Sequence, residues 1–346
     1  MKGYVSLSVR LLINVESLNG VESVGNLSRH RTVPIVIAER DQQGNVTGYS
    51  VRFVPAVSGE SLAHGYQSEL VDIAKKMNLP LGIYSSRKEF LKFADDDIMK
   101  REGFTNVPSK EGEIRKYEAK IMLKDIVADI GGFLYAGKYA VKRSSCFSFS
   151  YMIPAVDEIE GSAMEAQFHV RFSPSELAKQ APYNVEVGSA VYTFTFGLNI
   201  SRIGVLSTEY GDKDTELEKK LSDTRSDRVK AALIALENFL TNLSFGAKKL
   251  RFDPNIKRLS AVAAVSRDSV FIVSSGNSRN YIKETIDRVN AYKDAMKSLT
   301  GKDVEIKLIV FDDENALNGV DIPDYVVKVN TLEELAKKIS EYFITS

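Results

Sequence analysis

Three histidines, one cysteine and a few charged runs are the groups in this sequence that could do chemistry. A lone Cys146 excludes an internal disulfide and any zinc site built on cysteines. His30, His64 and His169 never stand four residues from one another, and no His-Glu-x-x-His run exists, so a histidine metal site has no sequence basis. His64 falls in the first turns of an expected helix, where packing or capping is its natural role. His30 stands between Arg29 and Arg31 in a stretch rich in Gly, Asn and Ser. Three donors on a flexible loop fit phosphate contact, with a solvated loop as the alternative. Asp95-Asp96-Asp97 and Asp312-Asp313-Glu314 could each offer oxygens to a divalent ion. Without a glycine-spaced loop each reads better as a solvated helix face or a turn at a strand end.

Gly132 to Lys138 (GFLYAGK) has the spacing of a phosphate-binding loop, but Tyr139 stands where magnesium chemistry requires Ser or Thr. A helical pattern over residues 117–130 precedes it where that loop requires a strand. The glycines therefore read as a helix end, with Lys138 still available to a phosphate. Lys138, Lys142 and Arg143 lead into the alternating aromatics Phe147, Phe149 and Tyr151. Such a strand could stack bases while its neighbours hold phosphates. The aromatics could equally be core and the basic residues surface; sequence leaves both open.

Positioning these groups falls to a chain of 346 residues, enough for one large domain or two ordinary ones, with 44% hydrophobic and 27% charged residues. Its 46 basic and 46 acidic residues cancel, which excludes nucleic-acid binding through bulk charge and leaves local patches as the only route. No apolar run nears the roughly 20 residues of a membrane span. Serine and arginine break the apolar start, and no small-residue cleavage site follows, so the expectation is a cytoplasmic protein without a membrane partner.

Residues 4–16 alternate cleanly: Val5, Leu7, Val9, Leu11, Ile13 and Val15 point one way, while Ser6, Ser8, Arg10, Asn14 and Glu16 point the other. That pattern predicts a half-buried strand with a polar outer face. A loop over 17–32 and a hairpin around Gln43-Gly44-Asn45 follow. Ser58 is a good N-cap for a helix reaching Asn78, whose buried stripe is Leu62, Tyr66, Leu70, Ile73 and Met77. Residues 86–130 read as a helical lobe and 145–185 as an irregular or hairpin protrusion. A second long strand places Tyr192, Phe194, Phe196, Leu198 and Ile200 on one face. Beyond it the pattern predicts helices near 226–243, 279–299 and 332–343, with strands at 260–265, 269–274 and 304–311. This order suits an α+β fold with a split β-α-β, ferredoxin-like core. Because a polar face recurs on both long strands, that face is expected to meet something other than the core.

Four stretches together carry a family resemblance: INVESLNGVESVGNLSRHRTVP (13–34), VPAVSGESLAHGYQ (54–67), DIGGFLYAGKYAVKR (129–143), and FSFSYMIPAVDE with EAQFHVRF (147–172). They resemble the CRISPR-associated autoregulator (DevR) family, and within it the archaeal Cascade backbone branch. The resemblance implies a right-hand shape: a modified RNA-recognition (RRM) palm over 1–85 and 186–346, helical fingers over 86–144 and a thumb over 145–185. It implies copies stacked along one guide crRNA, each thumb reaching the next copy, with other Cascade subunits and the target nucleic acid paired to the guide as further partners. No cofactor and no catalysis are implied. The RNA-binding residues expected on this basis are Asn14, Arg29, His30, Arg31, Ser58, Lys138, Lys142, Arg143, Met164, Gln167 and His169. Backbone recognition is expected, with Arg10 and Asn14 bordering the groove. The rival readings are an RNA-processing endonuclease using His30 or His169 as base, and a DNA-binding regulator, for which no helix-turn-helix spacing is present.

Overall fold

A computed structural model describes residues 2–171, 181–243, 245–246 and 253–344. The chain opens with β1 (Tyr4–Glu16), β2 (Gly20–Val24), β3 (Leu27–His30), β4 (Thr32–Arg40) and β5 (Val46–Pro55) before helix α1 (Gly59–Lys76). Helices α2 (Asp96–Arg101), α3 (Ile114–Lys124) and α4 (Ile126–Gly131) precede four short strands: β6 (Phe133–Tyr135), β7 (Val141–Arg143), β8 (Phe147–Phe149) and β9 (Ile153–Pro154). The strands β10 (Ala163–Arg171) and β11 (Ala181–Asn199) lead to α5 (Thr215–Asn242) and β12 (Asn255–Ser266). Helix α6 (Tyr281–Thr300), β13 (Lys307–Asp312), β14 (Val326–Val329) and α7 (Leu332–Ile344) complete it.

The fold is α+β, organised on a large mixed sheet. β1 lies between β11 and β12, antiparallel to both, and β8 pairs with the far side of β11. The core order is therefore β12-β1-β11-β8, with α1 in the connection from β1 to β8 and α5 in that from β11 to β12. The odd residues Val5, Leu7, Val9, Leu11 and Ile13 pack with Leu62, Tyr66 and Leu70 of α1, Leu233 and Phe239 of α5, and Leu335 and Ile339 of α7. Each such aliphatic side chain taken out of water contributes roughly 1.5–3 kcal/mol. β13 extends the sheet beyond β12, and β14 pairs with β13 in parallel.

The even residues of β1 do not face solvent, which corrects the expected polar outer face. Ser6, Ser8 and Arg10 are buried beneath the extended segment between β12 and α6. The Val273 N–H donates to Ser6 Oγ at 3.1 Å and the Gly276 N–H to Ser8 Oγ at 3.0 Å. Arg10 donates to the Gly276 carbonyl at 2.7 Å and pairs with Glu314 and Asp157 at 3.0 and 3.2 Å. These polar side chains therefore satisfy backbone groups laid across the sheet, groups that would be costly to bury unpaired. A Cβ at Gly276 would stand 2.5 Å from Thr193 Oγ1 and 2.8 Å from Arg10 Cγ, so the segment seats only with glycine there. Residues 269–274, expected as a strand, belong to this strap and enter no ladder.

Other expectations shift for local reasons. Residues 17–32 hold a short hairpin, β2–β3, whose second strand pairs in parallel with β11. Within 145–185, Phe147–Phe149 and Ile153–Pro154 pair with β11 inside the main sheet. β10 and the first half of β11 pair antiparallel as a hairpin, and the residues that join them lie outside those described. α5 starts earlier than the apolar pattern suggested, at Thr215, where Asp214 caps it by accepting from the Leu217 N–H. β14 was not expected at all.

Candidate nucleic-acid interface

The start of α1 gathers the most binding chemistry. Ser58 Oγ accepts from the Ser61 N–H at 3.2 Å, while the Ser58 N–H donates to Asn19 Oδ1 at 2.9 Å. Arg31 Nε donates to the same Asn19 oxygen at 2.8 Å. One amide thus clamps the segment after β1, the residue after β3 and the helix cap together. Gly59 follows, where a Cβ would stand 2.7 Å from the Phe149 carbonyl, so only glycine lets α1 begin this close to β8.

Beside this cap is a cleft of about 360 Å³, lined among others by Gly59, Gln67, Lys92, Gly131, Ser148 and Tyr151. Lys92 adopts a left-handed backbone (φ 51) and donates from Nζ to the Gly131 carbonyl at 3.0 Å. Burial lowers its pKa to about 8, against the weaker opposing pull of Asp125. The helix start supplies N–H groups and the positive end of the helix dipole. With Ser148, a guarded ammonium and the exposed ring of Tyr151, and with the Glu60 carboxylate as the one opposing charge in its lining, the cleft can bind a phosphate and stack a base.

Besides Ser58 and Arg31 at the cap, the expected residues separate into three groups. Arg29 is half exposed, 3.6 Å from Glu22 in an equally open ion pair; Lys138 and Lys142 are exposed on the β6–β7 hairpin, and Asn14 is half-buried. Two residues are corrected. His30 is not on a flexible loop: it ends β3, buried, with Nε2 2.7 Å from Glu16 Oε1 and Nδ1 2.8 Å from the Arg31 carbonyl. Burial alone would push this imidazole down, but Glu16, the Arg31 carbonyl and Glu186 outweigh it and hold its pKa above the ordinary value. Arg143 is buried, not presented to solvent. It pairs with Asp129 at 2.6 Å and Glu118 at 3.3 Å, and Arg228 takes the second Asp129 oxygen at 3.0 Å. Arg10, expected at the groove border, lies under the strap.

On the hairpin, Met164, Gln167 and His169 are not brought together. Strand alternation sends Met164 to one face with Phe168 and Val170, and Gln167 and His169 to the other. The His169 ring stacks on Tyr183, centroids 5.2 Å apart at 22°. Of the three aromatics after Arg143, Phe147 and Phe149 pack with Tyr66, Phe196 and Phe239 in the core and form part of the cleft wall, while Tyr151 is the one whose side chain is exposed. Asp95 caps α2, Asp312 accepts from the N–H groups of Ala316 and Leu317, and Glu314 serves Arg10. Among the described residues no group of three His, Cys, Asp or Glu side chains is placed to hold a metal. Nor is any helix among them long and apolar enough to cross a membrane.

Sequence reasoning passed over Asn19, Gln67 and Lys92. Asn19 lies within the motif that carries the resemblance, next to Gly20, and an Asx residue after a strand is a detectable signal for backbone clamping. Lys92 has none, since its burial depends on Gly131, far along the chain.

The family model for the CRISPR-associated negative auto-regulator DevR/Csa2 matches residues 7–286. This chain belongs to the DevR/Csa2 family. One family relative, the CRISPR-associated aCascade subunit Cas7/Csa2 2 of Saccharolobus solfataricus, is 44% identical over 340 residues, covering 97% of this chain and 99% of its own length. A second from the same organism, CRISPR-associated protein Cas7/Csa2 1, is 37% identical over 329 residues, 91% of this chain and 95% of its own. Among solved structures, a chain of a CRISPR RNA-guided surveillance complex, pre-nicking, superposes with a TM-score of 0.50 at 12% identity, covering 98% of this chain and 99% of that one. At that identity the likeness is one of fold.

Proposed function

We propose that this chain is a non-catalytic backbone subunit of a type I CRISPR Cascade complex, oligomerising along a crRNA and holding it for pairing with target nucleic acid. The observation that carries this reading is its 44% identity, over nearly its whole length, to an aCascade Cas7/Csa2 subunit. The sheet order β12-β1-β11-β8 fits an RRM-like, ferredoxin-like palm, with residues 86–144 as fingers and the β10–β11 hairpin as thumb. The strap over the palm sheet argues against base stacking on that face, the usual mode of an RRM. Contact through the α1 cap, Arg31, Lys92 and the exposed Arg29, Lys138 and Lys142 suits backbone recognition with little base specificity. The partners on this reading are crRNA, its paired target, copies of this chain and other Cascade subunits.

The endonuclease alternative draws no support from His30, whose two ring nitrogens are engaged inside the protein. Native mass spectrometry on RNAs of increasing length tests the proposal: bound copies should rise stepwise with length. A fixed one-to-one complex at every length would sink it. Discrete cleavage of precursor RNA by the pure protein would favour the enzyme.

A further inference from the structure

The β4–β5 ribbon stands apart from the main sheet and pairs only with itself among the described strands. One face packs inward, where Ile37 and Val54 meet Ile159, with Val33, Ile35 and Val156 around them. The outward face is apolar along its middle: Pro34, Val36 and Ala38 stand opposite Phe53, Val51 and Tyr49, with Thr32 and Arg40 at the two ends. Tyr49 and Phe53 are 73% and 74% exposed, Val36 63% and Val51 59%. These four side chains alone offer on the order of 500 Å² of apolar surface, at the upper end of what a monomer leaves uncovered without a use for it. A two-stranded ribbon is marginal in water, and such a face adds to its cost.

We infer that the outward face of the β4–β5 ribbon docks onto a second copy of this chain. Between Pro34 and Ala38 the face carries no charge, so that stretch has nothing to offer a phosphate backbone; Arg40 stands only at its far end. Its area is more than half of the roughly 800 Å² that each partner contributes to a standard interface. Nearby, β10 lies against β5 and carries further exposed apolar side chains, Met164, Phe168 and Val170. A contact of one such surface with a different surface of the next copy is heterologous, and repeats without closing. This inference rests on the backbone-subunit reading and adds the surface on which copies meet.

The test uses full-length protein in isotopically light and heavy forms, mixed on an RNA long enough for several copies and also alone at high concentration. Val51→Cys is labelled with a photo-crosslinker, Cys146 being buried. Light-to-heavy crosslinks from position 51 are expected. Crosslinks only within one chain, only to RNA, or only to added lipid vesicles would overturn the inference. In parallel, Val36→Lys with Val51→Lys should leave the binding of one copy to a short RNA unchanged, but raise the protein concentration needed for multi-copy assembly by at least about tenfold. Unchanged assembly by a folded variant would also overturn it. Should the wild type bind no RNA, the backbone reading fails, and the RNA-free crosslinks still decide the ribbon.

Discussion

Two basic runs of the molecule follow the same plan from different parts. In Arg29-His30-Arg31 the middle residue turns inward to Glu16 while Arg29 faces water. In Lys142-Arg143 the arginine turns inward to Asp129 and Glu118 while the lysine faces water. Arg29-His30 and Lys142-Arg143 each lie in a strand, with Arg31 just past the end of β3, so neighbours within the strand point to opposite sides and neither run presents all its charges on one surface. The runs differ in what the inward residue meets. His30 meets a carboxylate and a carbonyl and is a group that titrates, with its pKa held above the ordinary imidazole value, whereas the guanidinium of Arg143 stays charged.

The largest consequence falls on Arg143. Arg143→Ala would leave Asp129 and Glu118 with fewer partners in a place without water, and breaking a buried pair from one side costs about 3–5 kcal/mol. Lys142→Ala, one residue away, should stay within about 0.5 kcal/mol of wild type. Urea unfolding of both variants checks the contrast; equal midpoints would mean that Arg143 is not held as described.

His30 should give a smaller and pH-dependent effect. Its folded pKa is raised above the ordinary value, so its contribution is fully present below the unfolded pKa of about 6.5 and is lost as pH rises through the folded one. His30→Gln should therefore cost on the order of 1–3 kcal/mol at mildly acid pH, where the ion pair is lost, with the gap closing on the alkaline side. Thermal melts at a series of pH values read this directly. A gap that widens with pH would show a neutral imidazole in the fold.

This contrast also marks how far sequence reading reaches. The alternation of Val5 to Ile13, the cap at Ser58 and the stripe of α1 were legible because each depends on neighbours within a few residues. The fate of Ser6, Ser8 and Arg10 was not, because it depends on a strap more than two hundred and fifty residues away, tied by Val273 and Gly276. Polarity on a strand reads as exposure unless the covering backbone is known. For the candidate interface the pattern is similar: Ser58 and Arg31 announced themselves by type and context. Lys92 and Asn19 gain their places only when distant segments close on them.

Lys92 should give a pH-dependent effect. A lysine whose pKa is near 8 loses charge across a range in which an ordinary lysine keeps its own. If the cleft holds phosphate, RNA affinity should fall several-fold between about pH 7 and 9 at fixed salt, as one phosphate contact weakens. Lys92→Arg stays charged throughout that range and should flatten the decline. A fall of the same size in both proteins would place the titrating group elsewhere.

Arg29 should have the smallest effect, and its value lies in how the effect varies with salt and sequence. Its ion pair with Glu22 is open to water on both sides, so removing it should change stability little. If Arg29 meets RNA, the same exposure suits it to a phosphate contact, which carries no sequence information. Arg29→Ala should therefore weaken unrelated RNAs alike, and lower the slope of log affinity against log salt by about 0.7, the value for one phosphate on a single strand. Lys142→Ala should do the same if β7 borders the same groove, and the two losses should add if the contacts are independent. A loss confined to one RNA sequence would mean that Arg29 reads a base. An unchanged slope would mean that it faces away from the RNA, leaving Arg31, fixed by Asn19 at the α1 cap, as the arginine of that run on the groove.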